Sequence, residues 1–499
     1  MDAKRNVWAG AGLAILLMAG SPCHAQDAST AGAADAGKVD QVFAEFTKPG
    51  SPGCALGVYR DGKIIYAKGY GLANLEENVP ITPQTVFDIG STSKQFSAAS
   101  ILLLEKQGKL SVNDDVRKYV PELPDYGQTI TILNLLNHTS GMRDYLTLMS
   151  LAGINIDGVT TDDDALGIIV RQKKLNFAPG SDYLYSNSGF FLLSVIVKRV
   201  SGKSLRDFAQ ESIFTPLGMA HTQYRDDHTS LIPNRALAYD PVEKGGYKLA
   251  VSYFEQTGDG AVHTTVEDLQ KWDENFYSAQ IGGKEFLAEI QEQGKLTSGK
   301  TLDYAKGLAI SEYRGLRAVS HGGSWGGYRA QLLRFPAQHF SAACLCNVAN
   351  ANTSRLARGV ADVYLDFLMK PAEAPPPAEK KPESTTAEPP QLSAAELASF
   401  AGDYWSDELR VTYRLAAKDG RLWMTDVIGP DGLPRAGGIS RRELQPVAAD
   451  EFALSRPQAA FHFRRDSTGK ITDFILDAGR TLGMAFTRGR GDSSAQERR

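Results

Sequence analysis

A large excess of charge of one sign is missing from this chain: 54 Lys and Arg stand against 58 Asp and Glu, for a formal net charge of −4. The basic residues are scattered rather than striped, so no electrostatic footprint for nucleic acid is present. Cysteine is scarce, with 4 in 499 residues, and no Cys/His spacing of the metal-binding kind occurs. Beyond residue 18 there is no apolar run long enough to cross a bilayer, and no internal repeat. The apolar fraction of 42% and charged fraction of 22% are those of an ordinary globular protein. The length allows two or three domains.

The first residues carry a processing pattern. Lys4 and Arg5 form a basic start, an apolar run covers 7–18, and small residues at 23 and 25 suit a cut after Ala25. The run is shorter than the ~20 residues of a membrane span, which argues against a retained anchor. Pro22 fits a lipoprotein cut before Cys23 poorly. Residues 1–25 are therefore expected to be a signal peptide and the protein periplasmic or secreted, with no stable membrane span. Cys54, Cys344 and Cys346 would remain, an odd number. They read as small buried hydrophobes, with a bridge from Cys54 to one of the other two as the alternative.

Residues 26–38 are mostly Ala, Asp, Gly and Ser and read as a flexible leader. Val39, Val42, Phe43 and Phe46 then recur at helical spacing. Strand-like runs 54–59 and 63–70 flank Asp61-Gly62, a favoured two-residue hairpin turn. Residues 96–104 are almost wholly apolar, as in a buried helix. Further helix signals occur at 162–173, at 189–200 and from Thr265. Strand signals return near Ala318 and continue through 328–335 and 340–348. A Pro/Ala/Glu-rich linker at 371–391 separates this domain, 39–370, from a small all-β domain at 392–488, in which Asp419-Gly420 marks a turn. Residues 489–499 read as a disordered tail. The fold class is mixed α/β, an antiparallel sheet with helices, followed by a barrel-like β domain.

Three motifs carry chemistry. Ser91-Thr92-Ser93-Lys94 feeds the apolar run. Ser91 at a first helical turn lies near the positive dipole end, and Lys94 three residues on shares its face. Apolar surroundings lower a lysine's pKa, and such a lysine beside a hydroxyl activates a nucleophile. Alone, Ser-x-x-Lys is a weak signal, because both residues are common. Tyr185-Ser186-Asn187 follows a Pro-Gly turn and reads as a loop presenting a phenol and a carboxamide; Tyr185 beside Lys94 would exist partly as phenolate and act as general base. His321-Gly322-Gly323-Ser324 follows a strand, and its glycines would let a substrate backbone approach.

In this order, within an exported α/β domain, the three motifs resemble the serine penicillin-recognising hydrolases: class C β-lactamases, low-molecular-weight D,D-peptidases, D-aminopeptidases and related esterases. Residues 135–141, 216–219 and 258–260 extend the resemblance over roughly 40–370. It implies Ser91 as acylated nucleophile and Lys94 and Tyr185 as its proton-handling partners. It also implies Asn187 and His321 as substrate contacts, and the backbone N–H groups of Ser91 and Ser324, beside Gly323, as an oxyanion hole. His138 reads as scaffold. His-Gly-Gly stands where class C β-lactamases carry Lys-Thr-Gly, so a fixed charge and a hydroxyl are lost. Carboxylate recognition then becomes harder unless Arg329 reaches the cleft.

The expected activity is amide or ester hydrolysis of a small-molecule or peptide substrate, peptidoglycan-derived fragments included, without metal or organic cofactor. The alternatives are a D,D-carboxypeptidase or weak β-lactamase, an acyltransferase, and a non-catalytic cell-wall or peptide-binding protein. The β domain either narrows the cleft or serves as an appendage.

Overall fold

The computed structural model describes residues 27–371 and 390–489, apart from 436, 438–440 and 456–457. The signal peptide and almost all of the linker and tail inferred above lie outside the described residues. A helix, Asp27–Val42, runs through most of the stretch read as a flexible leader. Its alanines, the best helix formers, outweigh the glycines that suggested a leader.

Asp61 and Gly62 both take positive φ, 51° and 71°, as a right-twisted hairpin turn requires. That hairpin is one edge of an antiparallel sheet of seven strands. Their spatial order is Tyr304–Ala305, Leu308–Tyr313, Leu316–Trp325, Tyr328–Phe335, Phe340–Cys346, Cys54–Arg60 and Lys63–Tyr70. The Phe340–Cys346 strand is buried throughout, and Cys54–Arg60 nearly so. Helix Thr353–Leu365 and the N-terminal helix cover one face; helix Val266–Ser278 packs on the other. Pairing sets Cys54 opposite Cys346, and the two form a disulfide, with Cys344 left as a buried thiol. The bridge is the alternative reading of Cys54, and it corrects the favoured one for Cys54 and Cys346, while Cys344 stays a small buried residue. The partners lie 292 residues apart, and only sheet register brings them together.

Helix Lys94–Lys106 is buried from Lys94 through Leu104 and packs against helix Asn187–Ser201. The latter ends on Gly202 at φ 75°, a left-handed cap. This helical pair, with the segments around it, forms the wall that faces the sheet across the cleft.

The C-terminal domain is a closed barrel of eight antiparallel strands running in chain order from Gly402–Ser406 to Thr481–Arg488. Asp419-Gly420 again supplies a positive-φ turn. The interior is filled by Tyr404, Tyr413, Phe452, Phe463, Phe474 and Phe486, so it is a packed core. A helix, Ala394–Phe400, precedes the barrel and lays Phe400 on Phe452 and Phe463; the domain is therefore not wholly β. Its start was legible in Ser393-x-x-Glu396, a capping box.

The barrel is docked. Its apolar core is continuous with that of the first domain. Arg143, buried, pairs with Glu408 at 3.0 Å and donates to the carbonyls of Leu482 and Gly483. Tyr413 Oη donates to Leu151 O at 2.7 Å. Glu408→Ala would strand a buried guanidinium and is expected to lower unfolding free energy by about 3–5 kcal/mol. Arg143→Met with Glu408→Leu should recover most of that loss. Denaturant titration of the three variants checks both.

Candidate active site

The site begins with two backbones in contact. Gly90, at φ 48°, sits where an added Cβ would lie 2.6 Å from Ser324 N. A Cβ on Gly323 would lie 1.8 Å from Ile89 O. Only glycine fits either position, so the Ser91 turn rests directly on the strand Leu316–Trp325. Thr92 Oγ1 donates to His321 O at 3.2 Å and adds to the clasp. The neighbouring strand pairs with this one only as far as Ser320, which leaves residues 321–325 as an edge facing the cleft.

Lys94 is fully buried, and its Nζ reaches three oxygens: Ser91 Oγ at 3.2 Å, Asn187 Oδ1 at 2.9 Å and Asp259 O at 2.6 Å. Burial pulls the lysine down from 10.5; Asp259 and Asp144 oppose this and Arg480 reinforces it. Burial pushes the Asp259 carboxyl up, with Lys94 and the Tyr145 hydroxyl, 3.1 Å away, resisting. The pair thus sits closer to neutrality than either group would in water.

Tyr185 corrects its sequence-based role. Burial drives its phenol well above 10, only partly offset by the Ser91 hydroxyl and Arg480, so it rests as phenol and not as phenolate. Among the described residues its oxygen has no hydrogen-bond partner. Asn187 opens the helix Asn187–Ser201 rather than sitting on a loop. Its backbone N–H donates to Asp144 Oδ2 at 2.7 Å, which fixes the carboxamide toward Lys94.

His321 is neutral. Burial and the nearby Lys94 hold it down to about 4. Its Nδ1 lies 2.6 Å from Gly322 O and must donate, so Nε2 accepts from Tyr304 Oη at 3.1 Å. His138 completes the line. Its Nδ1 accepts from Ser186 N–H at 3.2 Å, so Nε2 donates to the same tyrosine oxygen at 3.2 Å. One polarity runs from Ser186 through His138 and Tyr304 to His321. His138 therefore positions the Tyr185 segment, and His321 supplies no positive charge.

The charge comes from the barrel. Gly479 and Arg480 form the turn between its last two strands, and Arg480 lines the cleft. Its guanidinium carbon lies 4.7 Å from the Tyr185 ring centre, and Nη1 lies 3.7 Å from Asp144 Oδ2. The side chain stays 44% exposed, within reach of a substrate. Its carbonyl accepts from Asn176 Nδ2 and Asp144 N, which pins the turn. Arg329 instead donates to Gly326 O and Tyr328 O and does not line the cleft.

The cleft is about 540 Å³ in volume and is lined by Ser91, Tyr185, Asn187, His321, Gly323 and Ser324 together. Lys94 lies directly behind Ser91. The sequence matches the Beta-lactamase family over residues 39–365. The chain belongs to that family. It is related to D-aminopeptidases. It is similar to "Penicillin-binding protein 4*" of Bacillus subtilis, 32% identical over 55% of this chain and 63% of that protein. It is similar also to a D-aminopeptidase of Gluconobacter oxydans, 29% identical over 62% of this chain and 59% of that one. The chain thus spans about three-fifths of these relatives' length. An octameric penicillin-binding protein homologue from Pyrococcus abyssi shares the fold, with a TM-score of 0.61 and 23% identity over 91% of this chain and 100% of that one. Among the described residues no helix is long and apolar enough to cross a membrane.

Gly323→Ala forces the strand off the Ser91 turn. It is expected to cost about 1–3 kcal/mol of stability, the range for overpacking a tight site. Denaturant titration reads that loss, and the rate of Ser91 acylation should fall further than stability alone explains.

Proposed function

We propose that this family member is exported and opens an amide or ester bond through an acyl-Ser91 intermediate, with a substrate range of D-aminopeptidase or esterase type. The observation that carries this reading is the contact of buried Lys94 Nζ with Ser91 Oγ at 3.2 Å, where burial favours the neutral amine. Ser91 attacks the carbonyl carbon as its proton passes to Lys94. The N–H groups of Ser91 and Ser324 receive the oxyanion. Tyr185, held as phenol, gives its proton to the departing nitrogen or oxygen and takes the one on Lys94, so the bond breaks without net proton change. Water then repeats the sequence on the acyl ester. Asn187 Oδ1 is occupied by Lys94, which leaves its Nδ2 for a substrate carbonyl.

The D-aminopeptidases among the relatives support the substrate range. The N-terminal pattern and the Cys54–Cys346 bridge support export, since such bridges persist in oxidising compartments. Arg480 favours a second reading. A guanidinium beside Tyr185 suits a carboxylate on the departing half, as in a carboxypeptidase, and it offsets the charge that His321 does not provide.

Intact mass of the protein during turnover of a short-chain aryl ester tests the intermediate. A transient adduct with product release is expected, and Ser91→Ala should lose the adduct and at least about 10³-fold in rate. Folded wild-type protein with neither adduct nor product would sink the reading.

The pH profile tests the base. Activity that needs neutral Lys94 rises as pH climbs through its pKa, and that limb should lie below 10.5. Arg480 is one of the charges that lower it, so in Arg480→Gln the limb should move to higher pH. Asp259 and Asp144, which act in the opposite sense, stay in place. An unmoved limb in kcat/KM would show that Arg480 does not act on Lys94.

A further inference from the structure

A second cavity, about 260 Å³, opens beyond Trp325 and shares Asp88, Arg225, His263 and Trp325 with the catalytic cleft. Ser91, Tyr185 and Arg480 do not line it. A substrate group lodged there is therefore remote from the bond being broken.

Two arginines face this space, with Asp88 the one carboxylate among the lining residues. Arg225 donates to the backbone carbonyls of His228 at 2.6 Å and Ser252 at 3.3 Å, and its buried Nε has no partner among the described residues. Arg235 makes no side-chain hydrogen bond or ion pair among the described residues, although it lines the cavity. The two guanidiniums disfavour each other: burial first, then Arg235, pulls Arg225 down from 12.5.

Asp88, which lines the cavity, is a carboxylate that acts on both arginines, and the other nearby acids are engaged with neighbours. Asp88 accepts from Gly90 N at 2.7 Å, and burial raises it to about 6. Asp227 accepts from Thr229 N and is exposed. Glu255 binds His228 Nδ1 at 2.6 Å. His263, 4.0 Å from Asp88, is held neutral by burial and adds no charge. Two cations facing one cavity, in a partly desolvated setting, form a receptor for an oxyanion.

In the acylation reading above, on which this inference rests for its orientation, Tyr185 serves the departing half, and Arg480 lies beside it. The cavity beyond Trp325 then takes the half that stays on Ser91. We propose that Arg225 and Arg235 form a subsite for a carboxylate carried on the acyl half of the substrate, remote from the scissile bond. Arg225 is the fixed member, held by two carbonyls. Arg235 is the member that gains its first hydrogen-bonded acceptor when the carboxylate arrives.

The test uses N-succinyl-D-alanine methyl ester and N-butyryl-D-alanine methyl ester, which differ only by a carboxylate in place of a terminal methyl. Wild-type kcat/KM should favour the succinyl ester by about tenfold, as expected for a charge-assisted pair. Arg235→Gln should bring the ratio below about twofold, and Arg235→Lys should keep most of it. Added salt should erode the wild-type preference without any substitution. Equal values in the wild type overturn the subsite. So does a preference that survives both Arg235→Gln and Arg225→Gln, or an equal Arg235 dependence when the carboxylate is moved to the alcohol half.

Calorimetric binding of the same two esters to Ser91→Ala separates the subsite from the chemistry. An Arg235-dependent preference there, with no turnover by the wild type, would keep the subsite and discard the hydrolase reading. Turnover without any preference would do the reverse.

Discussion

The Ser91 turn and the strand beside it touch backbone to backbone, and the rest of the site is arranged around that contact. Gly90 and Gly323 omit the atoms that would keep the two apart. Once they meet, the N–H groups of Ser91 and Ser324 belong to the same small space. The helix that begins at Lys94 is aimed by the same turn, so the lysine enters the core at the one place where its amine can reach Ser91. The positions of Ser91, Lys94 and the Ser91 and Ser324 N–H groups are thus set largely by main-chain geometry.

Electrostatics complete what the glycines begin. Lys94 and Asp259 are both desolvated, and each is pushed toward its neutral form while the other resists. Tyr185 is pushed the same way and stays protonated. Two neutral histidines bonded through Tyr304 hold the opposite wall without adding charge. Among the described residues the nearest arginine to Tyr185 is Arg480, brought in from another domain.

What could be read from the sequence was local. The Asp-Gly turns, the buried helix after Ser91 and the capped starts of helices depend on neighbours within a few positions. Ser91, Lys94, Tyr185, Asn187, His321, Gly323 and Ser324 were singled out because each sits in a short motif, and the fold gathers them at one cleft, with Lys94 buried behind it. The disulfide was misjudged because strand register, not spacing, decides which cysteines meet. The phenolate expected at Tyr185 failed because the degree of burial is a tertiary property. Arg480 had no motif at all: an arginine after a glycine in a hairpin looks like any solvent-facing turn until the barrel is docked. The clue available was weak, a positive residue missing from the third motif, and it pointed to Arg329, which does not line the cleft.

The docking of that turn has a consequence for a shortened chain. Arg480 is held by Asn176, Asp144 and the Arg143 clamp, all on the domain that precedes it in the chain. Ser91, Lys94 and Tyr185 all belong to that first domain. It lacks the guanidinium that helps drive Lys94 toward its neutral form and that closes one end of the cleft. A product truncated before this hairpin would keep Ser91, Lys94 and Tyr185 in its sequence and lack the charge that acts on Lys94.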